Sequence, residues 1–190
     1  MRVIAGKYRG RSLHSLRGMD IRPTSDRLRE TLFDVLCAGN PSALEQTVWL
    51  DLYAGTGAVG IEALSRGASS VHFVESSARA VELIRRNLDS LLIDSGYRLV
   101  KSDAARALRR LEETVVCDFV FLDPPYELQR AYHQTLDGLA HSRLLRPGSV
   151  VVAEHQKKFD PGDGSAPLER YRKLVQGDAA LSFYRRGPGH

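Results

Sequence analysis

The chain has 190 residues, of which 43% are hydrophobic and 26% are charged, which fits one globular domain with a buried core. No apolar run approaches the roughly 18 residues of a membrane span, and the first residues lack the apolar stretch of a secretory signal, so we expect a cytoplasmic protein. Cys37 and Cys117 lie far apart in apolar contexts, without a histidine cluster nearby. We therefore expect free thiols, with neither a disulfide nor a metal site.

The positive charge is concentrated at the start of the chain. Residues 1–30 hold eight basic and three acidic residues, so their net charge of +5 exceeds the +4 of the whole chain. Two glycines between short apolar pieces predict a small β-hairpin in an extension that spans 1–22. Clustered Lys and Arg suit a phosphate backbone, although a solvated arm would carry the same charge. We expect this extension to bind nucleic acid separately from the cofactor, and the candidate contacts here and on the next helix are Arg2, Lys7, Arg9, Arg11, Arg22 and Arg27.

Beyond the extension, apolar strands alternate with amphipathic helices. A first helix is predicted from Pro23, with Thr24 or Ser25 as its N-cap. A terminal hairpin follows a loop at 157–167, and the tail 187–190 is expected to be disordered. This pattern predicts an α/β domain over 23–186, in which a mostly parallel sheet carries helices on both faces and ends antiparallel. The predicted strands span 48–53, 71–74, 98–101, 118–122, 150–153, 171–175 and 181–184.

The first strand ends in a glycine-rich turn with the sequence DLYAGTGAVG. Glycines at the start of a helix let the backbone approach a ligand closely, as in nucleotide-binding βαβ units. A tight turn between a strand and a helix would show the same pattern. An acid just before the glycines disfavours a pyrophosphate and suits the ammonium group of S-adenosylmethionine, which we expect as the cofactor. The residues expected to contact it here are Asp51, Tyr53, Gly55, Thr56 and Gly57.

Two further acids follow the second and third predicted strands. Glu75 ends the second strand, where a carboxylate can accept hydrogen bonds from ribose hydroxyls. Asp103, with Ala104 after it, ends the third strand at the same sheet edge and can accept a hydrogen bond from an adenine amino group. Both acids also suit helix capping, and the sequence leaves these interpretations open. We expect these residues to complete the cofactor site.

The fourth strand ends in the corner DPPY, formed by Asp123, Pro124, Pro125 and Tyr126. Consecutive prolines cannot extend a central strand and have no backbone donors, so the carbonyls of Asp123 and Pro124 can face a ligand. A base amino group is a poor nucleophile because its lone pair is delocalised into the ring, and accepting its N–H bonds helps to localise that pair. Tyr126 can stack on the base and align the nitrogen with the methyl group. The corner predicts methyl transfer to a base amino group, with Asp123 also bordering the cofactor; a surface proline turn is the alternative.

In order and spacing, the glycine turn, Glu75, Asp103 and the DPPY corner resemble the class I, Rossmann-like methyltransferases, and DPPY resembles their amino-group subset. The segments RVIAGKYRGRSL and RPTSDRLRETLFDVL are similar to those of the RsmD family of bacterial 16S rRNA guanine-N2 methyltransferases, over nearly the whole chain. The resemblance implies the strand order 3-2-1-4-5-7-6 and methylation of guanine 966 of 16S rRNA, in the small ribosomal subunit or an assembly intermediate. It also implies S-adenosylhomocysteine as the product. Some relatives carry Phe at the position of Tyr126, and either ring can stack.

Three other functions share parts of this pattern. DPPY also occurs in DNA adenine-N6 methyltransferases, but a chain of this length leaves little room for a separate DNA-recognition domain. An NAD-dependent oxidoreductase would use the same glycine turn, but the chain offers no evident catalytic Tyr-x-x-x-Lys pair. The third alternative is a nucleic-acid-binding module that has lost its activity, and the intact acids argue against it. No apolar surface stripe demands a partner, so we expect a monomer.

Overall fold

The computed structural model describes residues 1–15 and 25–187. Within these ranges the helices are α1 (Asp26–Leu36), α2 (Ala58–Ser65), α3 (Ala78–Ser90), α4 (Ala104–Leu111) and α5 (Gln129–Ala140). The strands are β1 (Val48–Leu52), β2 (Ser70–Glu75), β3 (Tyr97–Lys101), β4 (Cys117–Leu122), β5 (Leu145–Gln156), β6 (Gly164–Ser165), β7 (Leu168–Gln176) and β8 (Ala179–Arg186). In the described part of the chain, no helix has the length and apolar character that a membrane crossing requires.

The eight strands form one sheet in the order β3-β2-β1-β4-β5-β8-β7-β6. The first five strands pair in parallel, and β8 and β7 follow in antiparallel pairing. Because the predicted sixth and seventh strands correspond to β7 and β8, the expected order is confirmed. The two-residue strand β6 adds one more strand at the edge, within a segment predicted as a loop. This segment is held against β7 by ion pairs of Arg170 with Asp160 and Asp163, at 2.6 and 2.5 Å.

The helices cover both faces of the sheet, as predicted. On one face, α1, α2 and α3 pack over Trp49, whose ring stacks between Phe33 and Phe119 with centroid distances of 5.4 and 4.8 Å. On the other face, α4 and α5 pack over Leu50 and Leu52. Neighbouring residues of β1 therefore contribute to opposite apolar layers, as the alternation of side chains along a strand requires.

The start of α1 is fixed by a side-chain cap. The hydroxyl of Ser25 accepts a hydrogen bond from the backbone N–H of Leu28 at 3.1 Å, so one of the two predicted caps is observed. The other predicted cap, Thr24, the predicted start at Pro23 and the predicted contact Arg22 lie outside the described residues. So do residues 188–190 of the predicted tail.

Residues 1–15, called the N-terminal segment below, form a hairpin-like turn held by one antiparallel bridge between Arg2 and Ser12. Its tip lies against the end of α2. Gly6 has φ +79°, and a Cβ there would lie 1.8 Å from the carbonyl oxygen of Ser65, so only glycine fits. Val3 is buried in the apolar layer formed by α1, α2 and α3. The segment therefore contributes to the core of the domain.

A buried charged cluster fastens the N-terminal segment to two helices. The carboxylate of Glu62 on α2 is fully buried and accepts hydrogen bonds from the backbone N–H groups of Ile4 and Ala5 at 2.7 and 2.9 Å. Arg29 on α1, also fully buried, lies 3.8 Å from Glu62 and donates a hydrogen bond to the carbonyl of Arg2. The segment is thus packed against α1 and α2, and the expectation that it binds nucleic acid separately from the cofactor stays a prediction. The predicted boundary itself lies outside the described residues.

Candidate cofactor and acceptor site

The register of the sheet brings the predicted site residues to one edge. Leu52, the last residue of β1, pairs with Val74 of β2 on one side and with Leu122 of β4 on the other. All three strands run in the same direction, so the residues that follow these partners leave the sheet side by side. These following residues are Tyr53, Glu75 and Asp123.

The glycine-rich turn leads directly into α2. A Cβ at Gly60 would lie 2.3 Å from the ring of Phe73, so the absence of a side chain lets α2 pack closely on β2. The backbone N–H of Gly60 donates a hydrogen bond to the carboxylate of Asp51 at 3.0 Å. The end of β1 and the first turn of α2 are thereby fixed to each other.

Asp51 lies behind the turn, with only 2% of its surface exposed. Burial raises the pKa of its carboxyl to about 8, and the nearby charge of Glu75 adds to this, whereas the hydrogen bond from Gly60 acts in the opposite direction. A cation bound nearby would favour the ionised form. The contact of Asp51 with a ligand ammonium group stays a prediction.

Tyr53 connects the turn to the other helix layer. Its φ of 59° lies in the left-handed region, which is uncommon for a residue with a side chain. Its hydroxyl forms a hydrogen bond of 3.0 Å with the hydroxyl of Thr135 on α5. Burial raises the pKa of Tyr53, so this hydroxyl stays neutral near pH 7.

Glu75 bridges the glycine turn and the start of α3. One carboxylate oxygen accepts a hydrogen bond from the backbone N–H of Gly55 at 2.9 Å, and the other accepts one from the backbone N–H of Ser77 at 2.8 Å. A carboxylate oxygen can accept more than one hydrogen bond, so ribose hydroxyls can still be accepted. The contact with Ser77 was not predicted from the sequence. Ser77 is the N-cap of α3, and its position just after an acid at a strand end was the available signal.

Asp103 is the N-cap of α4, and its carboxylate accepts a hydrogen bond from the backbone N–H of Arg106 at 2.9 Å. This hydrogen bond, with the guanidinium of Arg106 nearby, lowers the pKa of Asp103. Ala104 is buried as the first residue of the same helix. Of the two interpretations that the sequence left open, capping is observed, and the contact with adenine stays a prediction.

The DPPY corner directly follows β4. Pro124 is buried, Pro125 is exposed, and Asp123 and Tyr126 are partly exposed. The hydroxyl of Tyr132, a fully buried residue of α5, lies 3.2 Å from the carbonyl oxygen of Pro124 and shares its single hydrogen between this oxygen and a second carbonyl on β5. Sequence analysis missed Tyr132, because an aromatic residue in the apolar stripe of a helix looks like an ordinary core residue.

Helix α5 connects the two halves of the site. Thr135 contacts the glycine turn through Tyr53, and Tyr132, three residues earlier, contacts the DPPY corner. The pKa of Tyr132 is raised mainly by burial and further by the charges of Asp123 and Tyr126, so these groups lie close to its hydroxyl. Its hydroxyl also lies 2.9 Å from the carbonyl oxygen of Glu154 on β5. The turn and the corner are therefore held against one rigid helix.

The tip of the N-terminal segment lies away from this edge. The backbone N–H of Lys7 donates to the carbonyl of Ser65 at 2.7 Å, so the tip of the N-terminal segment lies at the end of α2 away from the glycine turn. Eight residues of helix separate the two ends by about 12 Å. The predicted basic contacts in the described part of the chain are all exposed: Arg2, Lys7, Arg9, Arg11 and Arg27.

Comparison with known proteins identifies relatives over the whole length of the chain. Residues 1–185 match the family model described as Conserved hypothetical protein 95. The Haemophilus influenzae protein named Ribosomal RNA small subunit methyltransferase D is 34% identical over 158 residues, which cover 83% of this chain and 79% of that protein. The Escherichia coli protein of the same name is 30% identical over 186 residues, with coverages of 98% and 90%.

A solved structure of a related protein has the same fold. The solved structure of yhhF from Escherichia coli is 28% identical, covers 100% of this chain and 99% of its own chain, and superposes with a TM-score of 0.83. The resemblance inferred from the glycine turn, the DPPY corner and the flanking segments is thus confirmed. The chain belongs to the RsmD family of Rossmann-like methyltransferases.

Proposed function

We propose that this protein transfers a methyl group from S-adenosylmethionine to the exocyclic N2 amine of guanine 966 in 16S rRNA. The acceptor is the small ribosomal subunit or an assembly intermediate in the cytoplasm, and the protein acts as a monomer. The observation that carries the proposal is that α5 holds the glycine turn and the DPPY corner together at one sheet edge. The names of the Haemophilus influenzae and Escherichia coli relatives support an RNA of the small subunit as the substrate.

The charges around the glycine turn suit a cationic cofactor. The sequence from Asp51 to Gly60 contains no Lys or Arg, and the carboxylates of Asp51 and Glu75 lie close enough to influence each other. Such a site opposes a pyrophosphate and favours a ligand with an ammonium and a sulfonium group. Glu75 would hold the ribose, and Asp103 with Ala104 would border the adenine. Bound S-adenosylmethionine supplies an electrophilic methyl group.

The DPPY corner activates the acceptor amine. The carboxylate of Asp123 and the carbonyl of Pro124 accept its two N–H bonds, and this localises the nitrogen lone pair for attack. Because the carbonyl oxygen has two lone pairs, the hydrogen bond from Tyr132 leaves one for the amine. The ring of Tyr126 stacks on the base. When the N–C bond forms, the amine becomes positively charged and readily releases its proton, so a strong base is unnecessary.

The decisive experiment measures tritiated methyl transfer to small ribosomal subunits from cells that lack this protein. We expect transfer by the wild type and a loss of at least about 100-fold in Asp123→Ala, because a preorganised acceptor group is removed. Asp137→Ala, which changes an exposed acid on α5, is the matched control and keeps its activity. Persistent transfer by Asp123→Ala would contradict the assignment of the corner.

Hydrolysis of the labelled product identifies the modified base. We expect N2-methylguanine in RNA; N6-methyladenine in DNA would instead favour the adenine methyltransferase. Calorimetry with S-adenosylmethionine and with NAD separates the oxidoreductase, which binds only the latter. A protein that binds RNA but neither cofactor would be the inactive module.

A further inference from the structure

We propose that Arg79 and Arg86 on α3, together with Arg11, form a path of guanidinium groups that guides the RNA backbone to the cofactor edge. This inference rests on the proposed function and adds Arg79 and Arg86, which the sequence did not indicate, to the predicted contact Arg11. The occupant is the stretch of rRNA that flanks the target guanine. Below, these three residues are called the α3 arginine row.

The tip of the N-terminal segment lies far from the chemistry, whereas Met1 and His14 of the same segment lie close to Thr56 of the glycine turn. Lys7 and Arg9 are exposed near Ser65, at the end of α2 that faces away from the glycine turn. A phosphate bound there lies at least about 12 Å, the length of α2, from the start of that helix. Basic groups that continue towards the edge would keep a nucleic acid on the protein over this distance.

Helix geometry places the required residues in line. With 3.6 residues per turn, positions 79, 86 and 90 of α3 lie within about 40° of one another around the axis and span about 16 Å along it. The guanidinium of Arg11 donates a hydrogen bond to the carbonyl of Ser90 at 3.1 Å, so the N-terminal segment meets the lower end of the row. Arg79, in the first turn of α3, lies two residues after Ser77, which donates to Glu75. The row thus runs from the N-terminal segment to the cofactor edge.

The row also lies on the side of α3 that borders the N-terminal segment. Asn87, adjacent to Arg86, is fully buried and accepts a hydrogen bond from the backbone N–H of His14 at 2.7 Å. Its amide donates to the carbonyls of His14 and Thr56 at 3.2 and 2.9 Å. The segment, the row and the glycine turn therefore belong to one continuous surface.

Arg79 and Arg86 form no ion pair with the acids of their own helix in the described part of the chain. Glu82 and Asp89 lie about 60° and 80° round α3 from Arg79, and about 40° and 60° from Arg86, and Glu82 is 3.6 Å from Arg85. Arg79 and Arg86 are exposed, and among the described residues neither takes part in an ion pair. Unpaired guanidinium groups about 10 Å apart suit successive contacts with a phosphodiester backbone, which they bind through paired N–H donors.

The test compares two double variants that remove the same charge. Arg79→Gln/Arg86→Gln changes the row, whereas Arg110→Gln/Arg143→Gln changes two exposed arginines near the opposite sheet edge, at the end of α4 and just before β5. Binding of an in vitro transcript of 16S rRNA is measured by fluorescence anisotropy over a series of salt concentrations. Methyl transfer to small subunits and calorimetry with S-adenosylhomocysteine are measured in parallel.

We expect the row variant to bind RNA at least about tenfold more weakly than the control variant at 100 mM salt. The slope of log K against log salt should fall by about 1.4, since each lost contact with a single strand contributes about 0.7. Affinity for S-adenosylhomocysteine should stay within about twofold of the wild type.

Equal RNA affinity and equal salt slope in the two variants would overturn the inference. An equal loss of RNA and cofactor affinity would overturn it as well, because the row would then serve the cofactor. Both results are distinct from failure of the proposed function, in which the wild type itself transfers no methyl group to small subunits.

Discussion

The two helix layers of this protein are held in different ways. The layer of α1, α2 and α3 is covered from outside by the N-terminal segment, and a buried carboxylate and a buried guanidinium hold the three parts together. The layer of α4 and α5 packs through apolar side chains, and its buried polar contacts to the site are made by neutral hydroxyls. The first layer anchors the basic N-terminal segment to the domain, whereas the second positions the glycine turn and the DPPY corner.

This difference has an energetic consequence. Breaking a buried ion pair leaves an uncompensated charge and costs about 3 to 5 kcal/mol, whereas removing one neutral hydroxyl costs about 1 kcal/mol. Substitutions in the first layer should therefore affect the stability of the fold, and substitutions in the second should affect the rate of the reaction.

The largest effect is expected for Glu62→Gln. The variant should lose about 3 to 4 kcal/mol of unfolding free energy, because the buried Arg29 keeps only the partly exposed Asp26 as a counter-charge, Arg66 loses its partner, and two backbone amides compete for one acceptor. Urea unfolding at pH 7 measures this change. Glu82→Gln on α3 is the control: its pair with Arg85 is exposed, so the loss should stay below about 0.5 kcal/mol. Similar losses in the two variants would remove the distinction between the layers.

The next effect concerns Asp51, the buried acid behind the glycine turn. Because burial raises its pKa to about 8, the carboxyl is mostly protonated at pH 6.5 without a ligand and mostly ionised at pH 8.5. A cationic cofactor that binds the ionised form should bind up to roughly 20-fold more tightly at the higher pH. Cofactor binding to the ionised carboxylate releases a proton, so the affinity increases as the pH rises.

Calorimetry of S-adenosylmethionine binding at both pH values measures this dependence. Asp51→Asn provides the reference, since the ratio of wild type to variant cancels the titration of the ligand's own ammonium group. If the ratio of the two affinities is the same at both pH values, the charge of Asp51 does not contribute to binding of the cofactor.

A smaller effect is expected for Tyr132→Phe in the second layer. The variant keeps the ring in the core but loses the hydroxyl hydrogen that the carbonyls of Pro124 and Glu154 share, so kcat should fall about tenfold while cofactor affinity is unchanged. Tyr184→Phe is the matched control, because its buried hydroxyl donates to the carbonyl of Gly162 at 2.8 Å, away from the corner. Both should lose about 1 kcal/mol of stability. An equal fall of kcat in both variants would show that Tyr132 contributes only to stability.

The order of the helices and strands, and the sheet edge that carries the site, could be predicted from the sequence. The strands are apolar runs that end in Tyr53, Glu75 and Asp123, and parallel strands bring their carboxyl ends to one edge. A glycine turn and a proline corner at such ends are visible without a structure. Each of these features is encoded by residues that are close together in the sequence.

The missed features depend on contacts between distant parts of the chain. In the sequence Arg29 and Glu62 look like solvated helix charges, but in the fold both are buried and contact the N-terminal segment. The hydroxyl of Tyr132 finds its partners 8 and 22 residues away. The strand β6 is too short for any periodicity; it pairs with the edge of β7, and Arg170 holds the preceding Asp160 and Asp163 in place. None of these has a signal in the spacing of residue types.

The double hydrogen bond of Glu75 affects how tightly the site can bind. Both carboxylate oxygens are already engaged by backbone N–H groups, so the rotamer is fixed before any ligand arrives. Immobilising a free side chain on binding typically costs about 0.5 to 1.5 kcal/mol, and here that entropy is lost when the chain folds. A nucleoside entering the site therefore meets an acceptor that is already oriented, and its intrinsic affinity is not reduced by ordering this side chain.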